Sequence, residues 1–502
     1  MEKVQCSKVI TFPEKREDFE RIVGFDYIRM QLDPKTPFGK RYFQHIQPLK
    51  NEHLIEHLQD TQYIIENLEK NGKLCETIEN TLECIVDISQ TVHRLEANEL
   101  VDEIELFELK NFALTVQSLR EKIEGLLHTK FIPPSLEDVI NLLDPEGLRM
   151  PTFYIYDLYD ERLKEIRKKK RELNRASQDE EHSEISAMEI ALANEEREIE
   201  EQVIARINKN LSEKVAELKN AIEKVKYLDI IMTKAKLAIR FEFSMPSINI
   251  SENISDKLAV NKTQKSDDSR KLVIYDMFNP VLKETLQANG KRYQPVSIEI
   301  EKGVTLIVGA NMSGKSVVLR TVALIQYMAQ LGFFVPARHC ETIYFDTIAI
   351  VTEDTQRPLS GLSSFATEIK IIDEIYRRIR DNASNSSNSL VMIDEPARTT
   401  NPYEGTAIVN AIVELFENVG CYALIVSHFD EINAKRRLRV KGLKNDAQFS
   451  GEISNIQDYI DYQLVEAGDD EVPKEAIRVM ELLKINDEFI SKAKEKIENI
   501  RD

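Results

Sequence analysis

The chain has 502 residues and a formal net charge of −19, from 67 Lys and Arg against 86 Asp and Glu. A chain of this length can bury a large core and should fold into more than one domain. The acidic balance argues against a protein that mainly coats nucleic acid, because phosphate contacts need clustered Lys and Arg. It does not exclude a local basic patch.

Cysteine usage and hydropathy indicate the compartment. The five cysteines are scattered and form no C-x-x-C pair, being Cys6, Cys75, Cys84, Cys340 and Cys421. This pattern predicts reduced thiols rather than a disulfide or zinc framework. The N-terminus is too charged for a signal peptide, and no apolar run is long enough to span a bilayer. We therefore expect a cytoplasmic protein that does not enter a membrane.

Helical periodicity dominates the first half of the chain. After an N-terminal extension (1–19), residues 20–153 carry apolar side chains at three- and four-residue intervals, as in HLIEHLQDTQYIIENLEK. This spacing predicts a helical core domain. Residues 154–245 are long, charged and helical, which predicts a lever or arm whose legs turn near residues 177–186. Residues 246–272 are polar and predict a linker or loop.

A basic cluster runs from Arg162 to Arg175 within the predicted arm. It could contact nucleic acid, or it could be an exposed helix whose charges are balanced by nearby Glu. Aromatic residues that would stack on bases do not interleave with these charges. The second interpretation is therefore favoured.

Residues 273–440 predict an α/β domain. Four short runs in it are almost continuously apolar: Val304–Val308, Ile348–Val351, Leu390–Ile393 and Tyr422–Val426. Such runs, alternating with helices, predict a parallel sheet covered on both faces.

The first of these strands leads into a phosphate-loop pattern, G-x-x-x-x-G-K-[ST]. Its residues are Gly309, Ala310, Asn311, Met312, Ser313, Gly314, Lys315 and Ser316. The glycines let backbone N–H groups curl around phosphate oxygens, and the following helix directs its positive end at them. Lys315 would contact the β- and γ-phosphates, and the Ser316 hydroxyl would hold Mg²⁺. The pattern predicts an ATP and Mg²⁺ site.

Further polar residues follow the other buried strands. Asp394 and Glu395 end the run SLVMIDE, where Asp394 would support Mg²⁺ and Glu395 would polarise the attacking water. His428 follows the strand YALIV and is placed to sense the γ-phosphate. Ser363 or Ser364, at a helix start, could present a hydroxyl to phosphate or could cap the helix.

Four motifs taken together, GANMSGKS, GLSSFATE, MIDEPARTTNPYEG and VSHFDEI, resemble the ATPase domain of the MutS family, an ABC-class ATPase. GFDYIRMQLDPKTPFGKRYFQHIQPL resembles the start of that family's helical core, and the arm before Phe243 resembles its lever helices. Residues 441–502 resemble the small helical region that closes the ATPase dimer. The resemblance covers about residues 20–500. It implies a phosphate-loop ATPase domain with a parallel-rich sheet, preceded by helical domains.

The resemblance also implies roles for particular residues. Ser363 would contact the nucleotide of the opposite subunit, and His428 would act as a switch histidine. Gln356 would link the site to the helical domain. The loop that would face the partner subunit contains Asn401, Pro402 and Gly405. Such composite sites imply a homodimer, or a pseudo-dimer with a related subunit.

Departures from the family pattern bear on the partner. The chain begins almost directly with the helical core, which leaves no room for mismatch-recognition domains. The usual glycine-rich run after the aspartate–glutamate pair is here Pro396 to Pro402, PARTTNP. With the short architecture, this run resembles the KamC subgroup, MutS-like ATPases associated with reactivating adenosylcobalamin-dependent lysine 5,6-aminomutase. The resemblance therefore implies an ATP-driven remodelling protein acting on such an enzyme.

Two other functions stay open. The chain could bind mismatched or branched DNA in repair or recombination, which the basic cluster favours and the overall charge opposes. It could also form a nucleotide-locked dimer with negligible turnover, but a holding protein would not need Glu395 beside Asp394. Adenine recognition is equally open, since Tyr293 could stack on the base or pack in the core.

Overall fold

A computed structural model describes residues 9–176, 183–249, 270–309, 313–353, 364–382, 388–429, 431–444, 459–468, 476–482 and 485–501. Two compact units emerge from the contacts within it. The first comprises the described parts of residues 1–32, 47–62 and 236–502, and the second comprises residues 33–46 and 63–235 without the undescribed stretch. Among the described residues, no helix has the length and apolar character needed to cross a membrane.

The first unit contains the strands. In chain order they are β1 (Ile10–Phe12), β2 (Ser247–Asn249), β3 (Leu272–Met277), β4 (Val296–Ile300), β5 (Gly303–Val308), β6 (His339–Ile343), β7 (Thr347–Val351), β8 (Ser389–Asp394), β9 (Tyr422–Ser427), β10 (Arg436–Leu443) and β11 (Ile460–Glu466). They form a mixed α/β structure with the helices that follow.

The helices of the described residues occur in both units. In chain order they are α1 (Arg16–Val23), α2 (Phe25–Met30), α3 (Pro37–Gln44), α4 (Asn51–Lys70), α5 (Gly72–Leu82), α6 (Ser89–Glu96), α7 (Glu103–Ile123), α8 (Glu137–Leu143), α9 (Glu161–Ala176), α10 (Ser183–Ser212), α11 (Val215–Phe241), α12 (Pro280–Ala288), α13 (Lys315–Gln330), α14 (Ser364–Asn382), α15 (Pro402–Val419), α16 (Ala476–Leu482) and α17 (Asp487–Arg501).

The main sheet of the first unit has seven strands in the order β1-β7-β8-β9-β5-β10-β11. All neighbours are parallel except β10 and β11, which are antiparallel. Every residue of β5, β7 and β9 is buried. Burial on both faces explains why these strands read as continuous apolar runs. The four strands predicted from those runs are confirmed, as is the parallel-rich α/β character.

A second, four-stranded sheet has the order β2-β6-β3-β4. Its first strand, β2, lies at the start of the segment predicted as a linker (246–272), and β3 begins at the end of that segment. Residues 250–269 of the predicted linker lie outside the described residues. The ends of the segment are therefore part of a sheet.

The N-terminal residues also belong to the first unit. Strand β1 pairs with β7 at the edge of the main sheet, so the predicted extension (1–19) includes a strand. Glu20 of α1 is buried and accepts a hydrogen bond from the Tyr327 hydroxyl of α13 at 2.8 Å. Arg16 and Arg29 each donate to the same carboxylate at 2.7 Å. A buried carboxylate is tolerated here because two guanidinium groups and a hydroxyl satisfy it.

The second unit is helical. Helix α7 begins with a capping box in which Asp102 and Glu105 satisfy each other's backbone N–H groups. It buries Leu106, Leu109 and Phe112 at three-residue intervals in a large apolar core. The amphipathic periodicity that predicted helices in this region is confirmed at α7.

The predicted arm contains α9, α10 and α11. The turn predicted between its legs includes residues 177–182, which lie outside the described residues. Within the basic cluster, Arg167 of α9 donates to Glu196 and Glu200 of α10, each at 2.7 Å. Lys170 also lies 2.5 Å from Glu196. At these positions the cluster is balanced by a neighbouring acidic helix, in agreement with the interpretation favoured by the sequence.

The C-terminal region departs from its predicted helical character. Strand β10 crosses the boundary predicted at residue 440, and β11 then returns antiparallel to it with a bulge between Val440 and Gly442. Helices α16 and α17 follow these strands. The region predicted as a helical dimerisation element (441–502) therefore contributes an edge strand to the main sheet before it becomes helical.

Candidate functional site

The phosphate loop connects β5 to α13 in the first unit. Gly314 has the left-handed conformation (φ 81°), and a Cβ there would lie 3.2 Å from the Tyr462 ring. Both the backbone angle and the close approach favour glycine at this position. Ser313 is buried, and its Oγ has no hydrogen-bond partner among the described residues. Ala310, Asn311 and Met312 of the predicted loop lie outside the described residues.

Lys315 is the first residue of α13 and is buried. Its Nζ donates to the Gly309 carbonyl at 2.8 Å and lies 3.6 Å from Glu395 Oε1. Burial lowers the pKa of Lys315, while the charge of Glu395 acts in the opposite direction. A bound phosphate would add charge-assisted hydrogen bonds to this buried cation.

Ser316 and Asp394 face each other across the end of the sheet. The Ser316 hydroxyl donates to Asp394 Oδ1 at 3.0 Å. Burial raises the pKa of Asp394, and the hydrogen bond from Ser316 partly offsets this. A hydroxyl and a carboxylate are the oxygen ligands that Mg²⁺ prefers, and Mg²⁺ takes its remaining ligands from water and phosphate. The predicted metal-binding pair is therefore brought together with suitable chemistry.

Glu395 follows β8 in a left-handed conformation (φ 48°). Besides Lys315, two other groups approach its carboxylate: Arg398 Nη1 and His428 Nδ1 each lie 3.7 Å from Oε2. These separations are longer than hydrogen bonds. The carboxylate is thus held among three nitrogen-bearing side chains without being firmly engaged by any of these contacts.

His428 comes directly after β9, whose register sets it beside the end of β8. Its Nδ1 is buried and makes no hydrogen bond to the residues that the structure describes. The ring contacts Phe429 with centroids 4.4 Å apart. A buried ring nitrogen without a hydrogen-bond partner costs free energy, which a bound ligand or water would recover.

A cavity of about 820 Å³ extends from the phosphate loop. Ser313, Lys315 and Glu395 are among its lining residues, together with the cations Lys291, Arg292 and Lys444. Its apolar and aromatic lining residues are Met277, Leu282, Leu286, Tyr293, Val296, Val318, Ile460 and Tyr462. The cavity therefore combines charged groups that suit phosphates with apolar groups that suit a base.

Tyr293 lines this cavity and is also a packing residue. Its hydroxyl accepts a hydrogen bond from the Asn279 N–H at 3.0 Å, and burial raises its pKa. Asn279 in turn caps α12 by accepting from the Leu282 N–H at 3.1 Å. The two interpretations of Tyr293 are therefore compatible, because the ring is fixed by the fold and still faces the cavity.

Two predicted residues cannot be placed. Gln356 and Ser363 lie outside the described residues, although α14 begins at Ser364. The predicted partner-facing loop is described: Asn401 caps α15 by accepting from the Tyr403 N–H at 2.9 Å. Gly405 leaves no room for a side chain, since its Cβ would lie 2.4 Å from the Phe429 ring.

Three further residues lie near the site and were not predicted from the sequence. Arg398 lies close to Glu395 and pairs with Glu353. Tyr462 lines the cavity beside Gly314, and Glu368 contacts the turn after β8. Arg398 and Glu368 stand within the motifs that were singled out, so the signal was present. Tyr462 had no local signal, because its place depends on the pairing of β11.

Comparison with known proteins gives consistent results. Residues 305–501 match the family model of MutS domain V. A DNA mismatch repair protein MutS from Clostridium novyi (strain NT) is 25% identical over 91% of this chain and 54% of its own length. A second, from Clostridium botulinum (strain Alaska E43 / Type E3), is 28% identical over 60% of the chain and 30% of its own length.

The similarity extends to another kind of relative. Endonuclease MutS2 from Caldanaerobacter subterraneus subsp. tengcongensis is 29% identical over 51% of this chain and 30% of its own length. The chain thus spans about half of the first relative and about a third of the other two.

Proposed function

We propose that this chain, whose similarities support membership of the MutS family, binds ATP with Mg²⁺ and hydrolyses it in a composite dimer site. One observation carries the proposal: Lys315, Ser316, Asp394, Glu395 and His428 come from three separate parts of the chain and lie in mutual contact. Three of them, Lys315, Ser316 and Glu395, line one cavity. MutS-family proteins are ATPases, which agrees with this geometry. The proposed activity rests on the residues of this chain and their contacts rather than on the relatives' names.

The charged lining residues suit a triphosphate. Lys315 would neutralise phosphate oxygens, and the unpartnered Ser313 hydroxyl would donate to them. Ser316 and Asp394 would hold Mg²⁺, which supplies charge neutralisation at the phosphates. Once phosphate engages Lys315, the Glu395 carboxylate loses its nearest cation and can accept a proton from water. His428, 3.7 Å from Glu395, would sense the γ-phosphate.

The apolar lining residues suit the adenosine. Tyr293 and Tyr462 line the cavity with aromatic rings, and such rings stack well on a base. Gln294 fixes the position of Tyr462, because it donates to Asp461 at 2.7 Å and accepts from the Tyr462 N–H. The edge strand β11 is thereby held against the nucleotide cavity.

The active unit would be a homodimer or a pseudo-dimer with a related subunit, as MutS-family proteins act as dimers. Ser363, Asn401, Pro402 and Gly405 would face the partner subunit, and Gln356 would link the site to the helical unit. These assignments rest on the resemblance of their motifs. ATP binding would close the two nucleotide domains, and hydrolysis would release them.

The closure would act on DNA or on a protein. The reported relatives are named for DNA mismatch repair and for an endonuclease, so the comparisons favour a DNA-related function, and mismatched or branched DNA is the first candidate. Reactivation of an adenosylcobalamin-dependent lysine 5,6-aminomutase finds no support in the comparisons. This function remains a prediction, which rests on the resemblance of the run from Pro396 to Pro402 to the KamC subgroup.

The test is the ATP turnover of the purified protein, alone, with branched or mismatched duplex DNA, and with cobalamin-inactivated aminomutase. DNA binding releases counterions, so stimulation by DNA should fall steeply as salt is raised. Stimulation of that kind would support the DNA function. Stimulation by the inactivated enzyme with DNA inert would support reactivation instead. Absence of any ATP turnover in the wild-type dimer would contradict the ATPase proposal itself.

A further inference from the structure

The turn that carries Glu395 has an unusual backbone. Glu395 and Ala397, on either side of Pro396, both adopt left-handed angles, with φ of 48° and 61°. For a residue with a Cβ this conformation costs about 1 kcal/mol or more. Such angles persist only where the surrounding structure fixes them, so the contacts that hold this turn are part of the site.

Three hydrogen bonds hold the turn. The Glu395 N–H donates to the Val426 carbonyl at 3.0 Å, and the Ala397 carbonyl accepts from the Thr400 N–H at 3.1 Å. The third is donated by the Ala397 N–H to Glu368 Oε2 at 3.2 Å. Of these three, the bond to Glu368 alone depends on a particular side chain, so it is the one that substitution can remove.

Both partners of this contact, Glu368 and Ala397, are buried. The Glu368 side chain is 3% exposed, and Ala397 is fully buried within the apolar core of the first unit. A carboxylate taken out of water is stable only when polar groups engage it. Helix α14 could form equally well with this glutamate exposed to water. The burial of its carboxylate beside the Ala397 N–H therefore indicates a role in holding the turn.

We propose that Glu368 is a positioning residue that fixes the left-handed turn and, through Ala397, the direction of the Glu395 carboxylate. Glu368 lies four residues after Ser364, where α14 begins. It therefore ties the first turns of α14 to the turn that carries the water-polarising carboxylate. This inference rests on the proposed ATPase function, since it assigns a supporting role for the same reaction.

Four variants test the role. Glu368→Met fills the space but cannot accept the hydrogen bond, and Glu368→Gln keeps an acceptor without the charge. Ala397→Gly makes the left-handed turn less dependent on the hydrogen bond to Glu368, because glycine adopts positive φ freely. Glu374→Met, an exposed change on the same helix, is the control. Glu368→Ala replaces the methionine variant if that one does not fold.

Kinetics should separate positioning from binding. We expect Glu368→Met to lower kcat about 10-fold while the Kd for ATP changes less than about 2-fold, because the affected group acts in the chemical step. Glu368→Gln should keep most of the activity. In the Ala397→Gly background the effect of Glu368→Met should shrink to about 3-fold, since coupled residues are not additive.

Hydrogen exchange provides a readout that does not need turnover. Glu368→Met should speed amide exchange in the peptide spanning residues 394–400 and leave the peptide of β9 unchanged. Unchanged exchange and unchanged kcat in Glu368→Met would overturn the inference, as would an equal loss in both Ala397 backgrounds. If the wild-type protein showed no turnover, the ATPase proposal would fail, and exchange alone would then decide whether Glu368 holds the turn.

Discussion

Each unit of the molecule buries a lysine near a carboxylate, and the two pairs differ in how well they are satisfied. In the helical unit, Lys110 donates to the Thr152 carbonyl at 2.8 Å and to the Tyr156 hydroxyl at 3.0 Å, and lies 3.1 Å from Asp144. In the first unit, Lys315 donates to the Gly309 carbonyl at 2.8 Å and lies 3.6 Å from Glu395. The Lys110 network is closed, because its lysine and carboxylate are in short contact. The site of Lys315 and Glu395 is loose, because their separation is longer than a hydrogen bond.

The difference separates a structural network from a ligand site. An ammonium group has three donors, and the three acceptors around Lys110 match them. Asp144 is buried, which opposes its ionisation, yet hydrogen bonds from the Arg149 N–H and from Lys110 hold its pKa below the ordinary value. Around Glu395 the nitrogen groups remain beyond hydrogen-bond distance, and the nearby Ser313 Oγ lacks a partner among the described residues. A bound ligand with hydrogen-bonding groups would therefore lower the free energy of this site.

The largest effect should follow from breaking the closed network. Lys110→Met would leave Asp144 buried without its cation, which costs about 3–5 kcal/mol of unfolding free energy. Nucleotide affinity of the folded fraction should not change. Chemical denaturation and ATP titration measure the two quantities.

Two controls sharpen this prediction. Lys122→Met, a change at an exposed lysine of the same helix α7, removes a hydrogen bond to Thr81 and should alter stability by about 1 kcal/mol or less. The double variant Lys110→Met/Asp144→Leu should be more stable than Lys110→Met alone, because no buried charge is then left unpaired. Equal stability of the single and double variants would show that the pair is not coupled.

The loose site should respond in the opposite way. Lys315→Ala removes a cation that burial disfavours, so stability without nucleotide should hardly fall. The affinity for ATP should drop about 100-fold, because charge-assisted contacts to phosphate are lost. Fluorescence titration with a labelled nucleotide measures this, with Lys302→Ala, a change at the exposed residue just before β5, as the control. Retained tight binding in Lys315→Ala would refute the phosphate-loop assignment.

A third buried lysine gives a pH-dependent effect. Burial lowers the pKa of Lys234 on α11 to about 7, whereas an unfolded chain titrates near about 10.4. Between these values the unfolded state binds the extra proton, so the stability of the wild type rises with pH. Lys234→Met should therefore be about 4 kcal/mol more stable than the wild type at pH 7, with the gap closing towards pH 10. Denaturation at both pH values tests this, and a less stable variant at both would contradict it.

In the first unit, the elements that could be predicted from sequence are those whose signals are local. Strands β5, β7, β8 and β9 are buried on both faces and so read as apolar runs. Parallel strands place their carboxyl ends at one edge of a sheet, which is why Ser316, Asp394 and His428 could be brought together from sequence.

The remaining features depend on non-local pairing. Strand β1 reaches the sheet by pairing with β7, more than three hundred residues away in the chain, and β11 pairs with β10 after residues that the structure does not describe. Neither strand carries a run that distinguishes it from a loop. Tyr462 lies near Gly314 through the pairing of β11, so its identity alone gave no indication of its place. Glu368 stands within a motif, but its contact with the Ala397 N–H depends on the turn after β8.

The most direct test of the account is Glu395→Gln, which changes one atom of the group proposed to polarise water. ATP affinity and phosphate release should be measured side by side in the wild type and the variant. The account predicts an unchanged Kd, turnover reduced about 100-fold or more, and accumulation of an ATP-bound dimer. Unchanged turnover in Glu395→Gln would contradict the account, because the chemistry would then depend on another group.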